Sequence, residues 1–126
     1  MYQIDFRKPH AVHFIGIGGI SMSGLAEILL REGFAVSGSD ARESALTHHL
    51  EQAGASVYYG QRAENLSDQV DVVVYTAAVH PDNPEYAEAV RRGLPMMSRA
   101  ELLGQLMENY KEAGAIAGPQ GKPTTT

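Results

Sequence analysis

The sequence predicts an α/β fold, a Rossmann-like doubly wound parallel sheet with helices on both faces. Three observations carry that expectation. Short β-forming runs alternate with helically spaced apolar residues from Ala11 to Tyr110. The connections between them are short, as right-handed parallel crossovers allow. The first run ends in Gly16-Ile17-Gly18-Gly19, which opens straight into a helical pattern, the place where such sheets bind phosphate esters.

Ala11 to Ile17 (AVHFIGI) is the first strand. Met22, Leu25, Ala26, Leu29 and Leu30 then recur at helical spacing, and Gly33 stops the helix. Phe34 to Ser37 reads as the second strand, closed by Gly38-Ser39-Asp40. Glu43 to Ala53 is a second helix with Leu46, Leu50 and Ala53 on one face, closed by Gly54. Ser56 to Tyr59 is the third strand, with one tyrosine expected inside and one outside. Gln61 to Gln69 is a polar connection.

Val70 to Tyr75 is the most aliphatic run and is expected at the centre of the sheet. Thr76 to Pro84 is a loop with two prolines. Glu85 to Arg92 is a short helix stopped by Gly93, and Glu85 and Glu88 read as acids suited to its dipole, without a catalytic role. Pro95 to Met97 is a brief strand, and Arg99 to Tyr110 an amphipathic helix carrying Leu102, Leu103, Leu106 and Met107. Ala113 to Ala117 reads as a last strand before the tail GPQGKPTTT. An apolar strand without a sheet seeks another edge, which implies a homodimer through that segment or a tail without order.

The chain has 126 residues, 44% hydrophobic and 20% charged, which fits one globular domain. Its net charge of −5 argues against a broad nucleic-acid partner and against docking on an anionic membrane. It contains no cysteine, so disulfides, thiolate catalysis and cysteine-held metals are excluded. Met1 to Lys8 is polar and unlike a signal peptide, and no apolar run approaches the roughly 20 residues of a membrane span, so the expected location is the cytoplasm. His48 and His49 are adjacent, a spacing that suits no metal pair. His13 reads as a core or edge histidine, and His80 is the one that could line a crevice. Met96, Met97 and Met107 read as core filler.

The glycine turn carries the chemistry. One glycine permits the tight turn, another lets the backbone approach a diphosphate, and a small third residue lets helix and strand pack closely. Ser21 stands at that third position, and Ser21 and Ser23 add hydroxyls. Because the chain is acidic overall, the anion site is expected to rest on glycine N–H groups and the helix N-terminus. Asp40 lies 22 residues after Gly18, where an acid reaches a ribose hydroxyl. Spacing alone leaves NAD and a nucleotide-sugar diphosphate open.

Further stretches carry a resemblance: His13 to Gly19, Met22 to Glu27, Ser37-Gly38-Ser39-Asp40, Val74 to Val79, Asn83-Pro84-Glu85 and Arg99 to Leu103. Together they resemble the N-terminal domain of the Mur ligases, and within them the members that join L-alanine to UDP-N-acetylmuramate in peptidoglycan biosynthesis. The resemblance implies a three-domain enzyme whose first domain holds UDP-N-acetylmuramate, whose second holds ATP and Mg²⁺, and whose last brings the amino acid. The lactyl carboxylate is activated as an acyl phosphate, which the amine attacks.

On this resemblance Gly16, Gly18, Gly19, Ser21, Met22 and Ser23 face the UDP diphosphate, and Ser39 and Asp40 lie beside the uridine half. Thr76, Ala78, His80, Asn83 and Arg99 border the same crevice. Ser21 departs from an expected glycine or threonine, and Ala77 from an expected serine.

Gly118-Pro119-Gln120-Gly121-Lys122-Pro123-Thr124 resembles the family's ATP loop, Gly-Thr-His-Gly-Lys-Thr-Thr, so Gly118, Gly121, Lys122 and Thr124 form a remnant of it. Pro123 supplies neither the hydroxyl nor the N–H that this position needs. The expected division is therefore residues 1–111 as the UDP-N-acetylmuramate-binding domain and 112–126 as the start of the ATP-binding domain. The expected behaviour is UDP binding without catalysis, with no cofactor in this stretch and ATP and Mg²⁺ in the parent enzyme. The alternative is an NAD(P)-binding regulatory domain.

Overall fold

The computed structural model describes residues 2–117. Its elements are β1 (Ala11–Ile15), α1 (Ile20–Arg31), β2 (Ala35–Asp40), α2 (Ala45–Ala53), β3 (Ser56–Tyr59), a 3-10 turn (Ala63–Asn65), β4 (Val72–Tyr75), α3 (Pro84–Arg92), β5 (Met96–Ser98) and α4 (Arg99–Ala117). Every strand pairing is parallel, in the order β3-β2-β1-β4-β5. The predicted doubly wound sheet is present.

Alternation along the strands sorts side chains to two faces. Val12 and Phe14 of β1 join Val72 and Val74 of β4 in one core, closed by Leu25 and Leu29 of α1, Leu50 of α2, and Leu102 and Leu106 of α4. Ile15 and Val73 face the other way, onto Leu66, Val70 and Ala89. His13 shares that second face by alternation and is fully buried.

The helix ends follow local chemistry. Ser44 and Thr47 form a reciprocal capping box on α2, and Gly54 closes it in the left-handed conformation. Asn83 caps α3 by accepting from the N–H groups of Glu85 and Tyr86. At α4, Glu101 N–H donates to Ser98 Oγ (3.1 Å) and Ser98 N–H to Glu101 Oε1 (2.7 Å).

Three expectations are corrected. The central strand is β1, because β4 pairs between β1 and β5 while β1 pairs between β2 and β4. Aliphatic density marked a strand buried on both faces, a property β1 and β4 share, so it could not rank them. Ala113 to Ala117 is helical, since α4 continues through it without a break. Lys111, Glu112 and Ala113 are good helix formers, and extending a helix needs no new nucleus. The pairing of two copies through a strand there loses its strand. Met107 is 63% exposed rather than core filler, on the outer side of α4 from Leu102 and Leu106. Met97 is fully buried as expected. Tyr58 is exposed and Tyr59 half-buried. Among the described residues, no helix is long and apolar enough to cross a membrane.

Candidate functional site

Strand order reverses between β1 and β4. The chain leaves β1 toward β2 on one side and later returns to β4 on the other. Parallel sheets bind ligands at the carboxyl edge of such a point. Here the turn after β1 (residues 16–19) and the loop after β4 (residues 76–83) flank it.

The turn is built from β2 as much as from β1. Gly16 has φ +85°, a conformation that a side chain would strain. The N–H groups of Gly16 (2.8 Å) and Ile17 (2.9 Å) both donate to the carbonyl of Ser39. Gly18 N–H donates to Asp40 Oδ2 at 2.9 Å, and a Cβ on Gly18 would lie 2.7 Å from that same oxygen. The glycine is therefore required by the acid beside it. α1 starts with no side-chain cap, and its backbone bonding begins with Ser23 N–H to Gly19 carbonyl at 2.7 Å. The N–H groups of Ile20, Ser21 and Met22 precede that bond and point out of the helix start, the dipole's positive end.

A cation arrives from α4, which packs on the same face of the sheet as α1. Arg99, the first residue of α4, donates from Nη1 to Ser21 Oγ at 3.1 Å. An arginine at a helix N-terminus opposes the dipole, and the capping box of Ser98 and Glu101 holds it there. The turn thus has a guanidinium beside it as well as outward N–H groups, which the acidic composition had not suggested. Ile20, at the mouth of the turn, is 86% exposed.

The remaining candidates divide by exposure. Met22 and Ser23 are buried, with Ser23 Oγ donating to the Ile20 carbonyl, so these two offer the site backbone rather than side chains. Ser39 is fully buried and its hydroxyl donates to Glu85 Oε1 at 2.7 Å. Thr76 is half-buried, while Ala78 and His80 are exposed on the β4 loop. Asn83 caps α3 and hydrogen-bonds Gln61 of the segment after β3. Gly118, Gly121, Lys122 and Thr124 lie outside the described residues. No group of three His, Asp or Glu that could hold a metal occurs among the described residues.

Sequence reading missed the buried group beneath this edge. Glu85 and His13 are both fully buried. Glu85 Oε1 accepts from His13 Nε2 (2.6 Å) and Ser39 Oγ (2.7 Å). Its Oε2 accepts from Asn65 Nδ2 (2.8 Å) and Arg62 N–H (3.2 Å). Burial works to raise the carboxyl's pKa, but hydrogen bonds from His13, Asn65 and Ser39 outweigh it and hold the group below the ordinary range. The signal that was available is a histidine inside an otherwise aliphatic strand.

The profile described as "Mur ligase family, catalytic domain" matches residues 11–111. The chain belongs to the Mur ligase family. UDP-N-acetylmuramate–L-alanine ligase of Agathobacter rectalis is 61% identical over 126 residues, which are all of this chain and 28% of that protein. The chain therefore spans just over a quarter of the relative's length. Among solved Mur ligases, the UDP-N-acetylmuramate-alanine ligase MurC of Thermotoga maritima superposes with a TM-score of 0.77 at 33% identity, covering 81% of this chain and 24% of that one. The UDP-N-acetylmuramate:L-alanyl-gamma-D-glutamyl-meso-diaminopimelate ligase of Neisseria meningitides gives 0.67 at 35%, covering 73% of this chain and 29% of that one. The chain is related to ligases of peptidoglycan biosynthesis, and its glycine turn falls inside the matched Mur ligase region.

Proposed function

We propose that this chain binds the uridine diphosphate end of UDP-N-acetylmuramate at the carboxyl edge between β1 and β4, as the substrate-holding part of a ligase that adds L-alanine. The observation that carries the reading is the convergence of the uncapped α1 N-terminus, the glycine turn and Arg99 on one spot. Outward N–H groups and one guanidinium suit two phosphates joined in a chain. Asp40 at the end of β2, beside the glycine turn, supports the reading as a partner for a ribose hydroxyl once it releases Gly18. The names of the relatives support this choice of nucleotide.

We also propose that ATP is not turned over by this chain. Pro123 stands where the loop needs a hydroxyl for Mg²⁺ and an N–H for phosphate, and Pro119 removes a second N–H. These residues do not fit the nucleotide.

Titration calorimetry with UDP, UDP-N-acetylmuramate and NADH tests the reading. UDP and its muramate sugar are expected to bind and NADH is not. Binding of NADH alone overturns it in favour of a dinucleotide domain, for which Asp40 on the glycine turn is the supporting feature.

A further inference from the structure

We propose that Glu85 is a positioning residue for the diphosphate-binding turn, acting through Ser39; this rests on the UDP reading above. Ser39 is bonded on two sides. Its carbonyl takes the N–H groups of Gly16 and Ile17, and its hydroxyl donates to Glu85 Oε1. The peptide that orients the turn is thus anchored, one bond further on, to a carboxylate that no solvent reaches.

The same carboxylate fixes the other wall of the crevice. Oε2 holds Arg62 N–H and Asn65, in the segment after β3. Asn65 in turn donates to the Gly60 carbonyl at 2.9 Å, while Gly60 N–H donates to Asp40 carbonyl at 2.8 Å. The backbone N–H of Glu85 is capped by Asn83, the last residue of the β4 loop. His13 closes the arrangement from β1, with Nδ1 paired to Ser37 Oγ at 2.8 Å. One anion therefore sets the relative positions of the turn after β1, the end of β2, the segment after β3 and the loop before α3.

The arrangement favours a carboxylate. Four donors converge on two oxygens, and each oxygen has lone pairs for two of them. An amide of the same shape presents one oxygen and one NH₂: the oxygen can keep Asn65 and the Arg62 N–H, but the NH₂ is met only if the Ser39 hydroxyl turns from donor to acceptor and His13 Nε2 gives up its proton. An amide at position 85 is expected to replace the charge-assisted bond from Ser39 with a weaker, reversed one and so loosen the turn, while the exposed walls that would meet the uridine ring stay in place.

The test uses the 126-residue chain, ¹⁵N-labelled, as wild type, Glu85→Gln and Ser39→Ala. Amide spectra are followed during titration with UDP and, separately, with uridine. In both ligand-free variants the Gly16 and Ile17 amide protons are expected to move upfield as their bonds to Ser39 weaken. The Kd for UDP is expected to rise about tenfold while that for uridine changes by less than about twofold. A change that acted only on stability would lower neither affinity or both alike. Equal weakening of UDP and uridine, or unmoved Gly16 and Ile17 amides in a folded variant, overturns the proposal. If Glu85→Gln does not fold, Ser39→Ala decides alone, since it removes one hydroxyl and no charge. A wild-type chain that ignores UDP while the variants still shift those amides defeats the UDP reading and leaves the turn's dependence on Glu85 standing.

Discussion

His13 and Glu85, 72 residues apart, meet at 2.6 Å through Nε2 and Oε1 with no solvent access to either. The strand supplies the histidine and the first turn of α3 the acid. Their contact ties the central strand to the helix covering the second face of the sheet.

Removing one member of a buried, hydrogen-bonded pair leaves the other's polar groups unpaired. Glu85→Ala is therefore expected to cost about 3–5 kcal/mol, a large share of the roughly 5–15 kcal/mol holding a domain together. Urea unfolding followed by circular dichroism measures it. A loss under about 1 kcal/mol would mean that the pair adds nothing beyond surface contacts.

The same carboxylate gives a pH dependence. Its folded pKa lies below the ordinary 4.5, so the stabilisation is complete above that value and is lost as pH falls through the folded one. As pH falls below about 4.5 the wild type should lose more stability than Glu85→Gln, which has no such proton to take up. Glu88, pushed down to about 2 by Arg91 and Arg92, titrates alike in both proteins and cancels in the comparison. Parallel urea midpoints for the two proteins across that range would refute the assignment.

Gly18→Ala sets a methyl 2.7 Å from Asp40 Oδ2 and 3.0 Å from Thr47 Cγ2. Asp40 must leave the Gly18 N–H, and the turn shifts with it. We expect a stability loss of about 1–3 kcal/mol and a UDP Kd raised about tenfold. Calorimetry and thermal melting together check it, and a variant binding UDP as wild type would show that the turn does not approach the phosphates.

Arg99→Ala removes the guanidinium at Ser21. UDP binding should weaken about tenfold, as for loss of a charge-assisted hydrogen bond. The salt dependence of UDP affinity should flatten, because the cation responsible is gone. Unchanged affinity and salt slope would place Arg99 outside the site.

Much of the fold was legible because its signals are local. The aliphatic runs, the helical spacing of Met22 to Leu30 and the glycine cluster each act within one or two turns of chain. The segment at Ala113 to Ala117 was misread for a physical reason. AGAIA was read as a strand from its apolar character although three of its five residues are alanine, and the helix already running from Arg99 decided its state. Glu85 was read as a first-turn acid, which it is, but its burial depends on β1, β2 and the segment after β3 closing over it.

By itself the sequence determined the sheet, the turn that ends β1 and the family, since short-range periodicity and contiguous motifs encode them. Only the tertiary structure decided that Arg99 reaches Ser21 across 78 residues, that Asp40 rests on Gly18, and that His13, Ser39 and Glu85 share one buried centre. Those contacts join residues whose spacing in the chain carries no period. They exist because parallel strands carry every carboxyl end, and the loops that follow, to one edge of the sheet.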